Sequence, residues 1–187
     1  MASAKEYENL IRAYDDWDKL KTFWQGIQDK STPDWEAGKA LEYFILRCFE
    51  KEGAEVRYPY SVSNVEQIDG VIYIENMACI IECKDKTTDK IKPLNFEPIA
   101  KLRSQLMRRP SSVIGSIFSR RGFSAPALDL LKTIQPQTIL LWEDEEIDYC
   151  LKNKAFCTTL ITKYRFEVMY GGGYNYNVSF DTNGDDK

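Results

Sequence analysis

The chain is expected to form an α/β domain: a central mixed sheet of four to five strands flanked by helices, with one extra helix at the N-terminus. Three observations lead there. Segments with apolar residues at three- and four-residue spacing alternate with short apolar runs of strand length. Residues 77–81 are apolar almost without interruption, as in a central strand covered on both faces. The chain has 187 residues, enough for one domain with a sizeable core and too few for two full domains.

In order, residues 5–28 are predicted to form one amphipathic helix. Tyr7, Leu10, Ile11, Tyr14, Trp17, Leu20, Trp24 and Ile27 make its apolar face. Such a face docks on the chain's own core or, alternatively, builds a homodimer contact. Thr32 and Pro33 suit an N-cap and first helical position, so the next helix is placed from there to Glu52, ending at Gly53. Its stripe is Ala37, Leu41, Phe44, Ile45, Cys48 and Phe49, with Glu42 on the shoulder beside Ile45. Strands follow over residues 54–62, 67–73 and 77–84. After a polar loop comes a helix from Glu97, because Pro98 fits the start of a helix better than its middle. Ile99, Leu102 and Leu106 face inward there, with Gln105 beside them. A strand over 112–119, a helix over 125–133, a strand over 138–142 and helices over 144–151 and 153–168 complete the pattern. Tyr174, Tyr176, Val178 and Phe180 alternate with polar residues, which predicts a last edge strand before a polar tail. The segments group as an N-terminal extension (1–30), a main domain (31–168) and a C-terminal segment (169–187).

Composition narrows the chemistry. Hydrophobic residues at 43% and charged residues at 29% are ordinary for a globular protein, and no apolar run reaches membrane-spanning length. With no charged-then-apolar leader at MASAKEYENL, a cytoplasmic location is expected. The five cysteines show no CxxC spacing, and the chain contains no histidine. That rules out a Cys/His zinc site and histidine-based nucleophilic or general-base catalysis within the chain, leaving carboxylates, lysine and metal for any hydrolysis. Net charge is -4, yet between Lys84 and Arg121 ten lysines and arginines stand against three acids. A basic run of this kind is either a solvated loop or a surface that holds a phosphate backbone.

The run lies directly behind the stretch QIDGVIYIENMACIIECK, residues 67–84. Paired across the Ile74-Glu75-Asn76 turn, its two strands bring Asp69 to the end that carries Glu82 and Lys84, and the i, i+2 spacing puts those two on one face. Two carboxylates and an ammonium then converge. Such a set suits a hard divalent cation and a phosphate. Taken alone, the same residues would also make a surface salt bridge beside a turn.

A helix with Glu42 in GKALEYFIL, then QIDG, then ECK after twelve intervening residues, then a helix bearing Gln105, resembles the PD-(D/E)XK nuclease superfamily and within it Mrr-type restriction endonuclease domains. The resemblance spans residues 33–142. It departs from the pattern in having no proline before Asp69 and no tyrosine completing a QxxxY element after Gln105. It implies the restriction-endonuclease-like fold and a Mg²⁺-dependent endonuclease acting on DNA in restriction, defence or repair, with Mn²⁺ as a substitute cofactor. Asp69, Glu82 and the backbone carbonyl of Cys83 would hold the metal, with Glu42 supporting it. Lys84 would act on the attacking water or the developing phosphorane, and Gln105 would orient water or phosphate. Lys86, Arg103, Arg108, Arg109, Arg120 and Arg121 would meet the nucleic acid. A catalytically inactive domain of the same fold, binding nucleic acid or a protein partner, is the alternative. A protein-interaction role through the N-terminal helix is a third.

Overall fold

The computed structural model describes residues 3–36, 38–62, 66–85, 92–171 and 175–180. They form an α/β domain around a five-stranded mixed sheet of order β1-β4-β5-β6-β7. The strands are β1 (Glu55–Arg57), β4 (Gly70–Ile74), β5 (Met77–Lys84), β6 (Val113–Ser119) and β7 (Ile139–Trp142). β4 runs antiparallel to β1 and β5, whereas β5, β6 and β7 are parallel. A separate antiparallel ribbon joins β2 (Tyr60–Val62) and β3 (Glu66–Ile68).

Alternation along the strands assigns two faces. Ile72, Cys79, Ile81, Cys83, Phe118, Leu140 and Trp142 pack under α3 (Lys39–Lys51), α6 (Asp144–Asn153) and α7 (Phe156–Tyr170). Val71, Ile80, Ile117, Ile139 and Leu141 pack under α4 (Glu97–Leu106) and α5 (Ala125–Leu131). The expected helices and inner strands are all present, and α4 starts where Pro98 required, with that proline in its first turn.

Several boundaries differ from expectation. The single N-terminal helix is two, α1 (Ala4–Arg12) and α2 (Trp17–Gln28). Asp16 is extended and its Oδ1 accepts from Lys19 N at 2.8 Å, so it starts a new helix instead of continuing the first. Both helices pack on α3 within the main core rather than standing apart as an extension. Tyr7, Ile11, Leu20, Phe23, Trp24 and Ile27 are buried there, whereas Leu10 is exposed and Tyr14 and Trp17 are half-buried, so most of that apolar face docks on the chain's own core. Pro33 opens a turn, and α3 begins only at Lys39, after Gly38 at φ 86°. The expected strand over 54–62 splits around Pro59, which has no N–H to give a ladder: β1 joins the large sheet and β2 the ribbon. The strand over 67–73 likewise breaks at Asp69, where the chain passes from the ribbon into the large sheet.

The expected C-terminal edge strand is absent among the described residues, and a short 3₁₀ turn, Val178–Phe180, stands there instead. Its approach is held by a buried ion pair and not by a sheet edge. Lys163 Nζ lies 2.5 Å from Glu146 Oε1 and also donates to the Tyr176 carbonyl, while Val178 N donates to the same Glu146 oxygen at 3.3 Å. No helix among the described residues is long and apolar enough to cross a membrane.

Candidate active site

The site is built at the open end of the β4–β5 hairpin. Glu75, with φ 52°, makes the tight turn at the other end, and register runs from Ile74 opposite Met77 to Gly70 opposite Ile81. One step further, Asp69 stands across from Glu82. Strand alternation turns Glu82 and Lys84 to the α4 side, the same face as Ile80.

Glycine makes the next contact geometrically accessible. A Cβ on Gly70 would lie 2.5 Å from Leu46 Cδ2, so the Leu46 side chain of α3 packs directly over the glycine. That close approach carries Glu42, one turn before Leu46, down to Asp69. Glu42 is buried, with its Oε2 2.6 Å from Lys39 Nζ. Burial, and then the negative charge of Asp69, push its carboxyl up to about 7 against the opposing pull of Lys39.

Asp69 is 5% exposed, and its Oδ2 accepts from Cys83 N at 3.0 Å. Burial, followed by the charge of Glu82, raises its carboxyl above the ordinary range. Glu82 is fully buried and lies between two lysines. Lys84 pairs with its Oε1, and Lys101 of α4 reaches both oxygens, at 2.8 and 2.9 Å. Burial alone would lower the Lys84 ammonium, but Glu82 and Asp69 outweigh it and raise it, keeping the group charged.

The remaining expected residues separate into groups. Gln105 reaches the site's edge: it is buried, its Nε2 donates to the Gln67 carbonyl at 3.2 Å, and its Oε1 has no hydrogen-bond partner among the described residues. Arg108 and Arg109, just past the end of α4, both pair with Glu66, at 2.7 and 3.0 Å. Arg103 is half-buried on the same helix.

Arg120, expected on the phosphate path, is instead turned inward. It pairs with Asp85 at 3.2 Å, donates to the Ile27 and Gln28 carbonyls, and lies over the Trp24 ring. Arg121 is half-exposed, and its N–H donates to Ser119 Oγ at 3.3 Å. Lys86 lies outside the described residues. The reading from sequence did not assign Lys39 or Lys101 to the site. The usable signals were spacing, since Lys39 precedes Glu42 by three residues and Lys101 precedes Gln105 by four, which puts each pair on one helix face.

Among the described residues no three or more His, Cys, Asp or Glu side chains gather as a metal-ligating group. The donor set nevertheless fits a hard cation that takes one or two carboxylates plus water and phosphate oxygens. Asp69 and Glu82 are two buried acids close enough for one charge to raise the other's carboxyl, a repulsion that a cation between them would relieve. The lysines on Glu82 hold oxygens that such an ion would need.

No family model matches the chain, and no curated protein matches it. Among solved structures it is similar to a crystal structure described as that of a protein of unknown function, AF1548. The identity is 14%, the match covers 61% of this chain and 77% of that one, and the TM-score is 0.43.

Proposed function

We propose that this chain is a Mg²⁺-dependent nuclease of the PD-(D/E)XK kind that hydrolyses phosphodiester bonds of DNA as an endonuclease in restriction, defence or repair. The observation that carries the reading is the meeting of Asp69, Glu82 and Lys84 at one end of the β4–β5 hairpin, with Glu42 brought beside Asp69 by the close packing of α3 on Gly70. Asp69 and Glu82 would hold the metal, with Glu42 and the Cys83 carbonyl in support. A bound Mg²⁺ supplies an acidified water and charge stabilisation at the phosphate. Lys84, kept protonated by its acidic neighbours, presents a positive charge where an anionic phosphate must approach. The Cys83 N–H fixes the orientation of Asp69, and Gln105, held at the site's edge by its bond to the Gln67 carbonyl, would orient water or phosphate. Cutting both strands of a duplex calls for two such sites, which a twofold homodimer would supply, with the exposed part of the N-terminal helices at Leu10 a candidate contact.

The test is incubation of the purified protein with plasmid, linear duplex and RNA across Mg²⁺ and Mn²⁺ concentrations. Metal-dependent cutting of DNA that is lost in Lys84→Ala supports the reading. Cutting that persists in EDTA or in that variant refutes the assignment.

A second reading, a catalytically inactive domain of this fold that binds nucleic acid or a protein partner, is favoured by one observation: Glu82 is already neutralised by two lysines. Calorimetry separates the two, because DNA affinity without any divalent-ion binding belongs only to the second.

A further inference from the structure

We propose that Lys101 is an exchanging lysine. It occupies Glu82 when no divalent cation is bound, and it turns to a phosphate oxygen of the nucleic-acid strand when Glu82 takes the cation. The inference rests on the nuclease reading of the site. It goes further by assigning a role to a residue on α4, outside the strand motif.

Three observations carry it. Lys101 Nζ lies 2.8 and 2.9 Å from the two oxygens of Glu82, so this one lysine covers both potential metal-binding atoms. Its side chain is 44% exposed against 1% for Glu82, while Lys84, the other lysine there, is 27% exposed. Two ammonium groups on one carboxylate are one cation more than Glu82 needs. The lysine that leaves at lower cost is the more solvated one, on a flexible stem rooted in a different element.

The third observation is where that stem sits. Lys101, Gln105 and Arg108 follow one another at spacings of four and three residues and so share one side of α4 and its end. Lys101 lies against Glu82, Gln105 against the Gln67 carbonyl, and Arg108 against Glu66. A line of donors therefore leads away from the site along β3, spanning about 10 Å from Lys101 to Arg108 at the rise of an α-helix. At the head of that line, a Lys101 released from Glu82 is beside the place where a phosphate would be held.

The experiment uses the full chain with Lys101→Met, which keeps the aliphatic stem, and Lys101→Arg, which keeps the charge. Mn²⁺ alone is titrated by calorimetry, and binding of a DNA duplex is measured in Ca²⁺ across a salt series. Exchange predicts that Lys101→Met binds Mn²⁺ more tightly than the wild type, because a competing cation has gone. The same variant should bind the duplex more weakly, with a log-log salt slope reduced by about one, and Lys101→Arg should restore that slope.

A purely structural tie between α4 and β5 predicts a lower melting temperature with Mn²⁺ affinity not increased or the salt slope unchanged. Either of those two binding results overturns the exchange. If the wild type binds Mn²⁺ and cuts DNA while Lys101→Met matches it in both assays, the Lys101 role alone is wrong. A wild type that neither binds Mn²⁺ nor cuts DNA overturns both it and the nuclease reading.

Discussion

At the scale of single residues, the site pairs buried acids at a cost that its lysines only partly offset. Asp69 shows this most clearly. Its carboxyl is raised by burial and by Glu82, so the stability it contributes is full below its ordinary pKa and is lost as pH rises through the raised value. Asp69→Asn keeps an oxygen for the Cys83 N–H and removes the repulsion. It is expected to melt at a higher temperature than the wild type at neutral pH while losing metal-dependent cleavage, a combination that calorimetry and a plasmid assay would detect together.

Asp144 gives a pH prediction away from the site. Burial raises its carboxyl to about 7, with Arg120 opposing and Asp148, Glu145 and Asp85 adding to the rise. Stability therefore falls as pH climbs from about 4 through about 7, and Asp144→Asn should flatten that part of a melting-temperature-versus-pH curve. The juxtaposition of Asp69, Glu82 and Lys84 is legible from hairpin pairing and strand alternation, whereas Glu42 and Gln105 join the candidate site only through the resemblance to the PD-(D/E)XK pattern. Lys101 was legible only in its spacing from Gln105, and that helix face acquires meaning only once the strand opposite it is known. The inward partners of Arg120 were not legible either, since nothing in its sequence neighbours announces that Ile27, Gln28 and Asp85 will enclose it.

At the scale of elements, the decisive contact is α3 on β4. A methyl group at Gly70 would meet Leu46 Cδ2 at 2.5 Å and Cδ1 at 2.7 Å, and Leu46 is fully buried with nowhere to retreat. Gly70→Ala should cost about 1–3 kcal/mol in a denaturant titration, the range for overpacked cores. It should also reduce cleavage more than metal binding, because it shifts Glu42 away from Asp69 while the strand pair that carries Asp69 and Glu82 remains.

Periodicity and proline identified the elements reliably where one rule applied, as with Pro98 at the start of α4 and the apolar run of β5. It failed where two rules competed. Asp16 reads as one more polar residue on a helix until its side chain caps the next one, and residues 54–62 read as one strand although Pro59 divides them between two sheets. The alternating residues near the C-terminus have the period of a strand, but the buried Lys163–Glu146 pair captures that backbone first.

At the scale of the whole molecule, the N-terminal helices are part of the core. Trp24 Nε1 donates to Asp148 at 2.6 Å, Arg47 Nε to the Tyr14 carbonyl at 3.2 Å, and Arg120 ties the end of α2 to Asp85, one residue beyond Lys84. Six large side chains of α1 and α2 are buried, each worth about 1.5–3 kcal/mol. Their sum is comparable to the roughly 5–15 kcal/mol that stabilises a whole domain. Deleting residues 1–30 is therefore expected to abolish cooperative thermal unfolding rather than merely change oligomeric state, and circular dichroism during heating would show it.

Lys101 of α4 meets the acid–lysine cluster at the open end of the β4–β5 hairpin, so the proposed chemistry lies at a single place. The most direct test is plasmid cleavage by the wild type and Lys84→Ala in Mg²⁺ and in EDTA. The account predicts cutting by the wild type in Mg²⁺ alone and none by the variant. Equal cutting by both proteins, or no cutting by a folded wild type in Mg²⁺ or Mn²⁺, would contradict it.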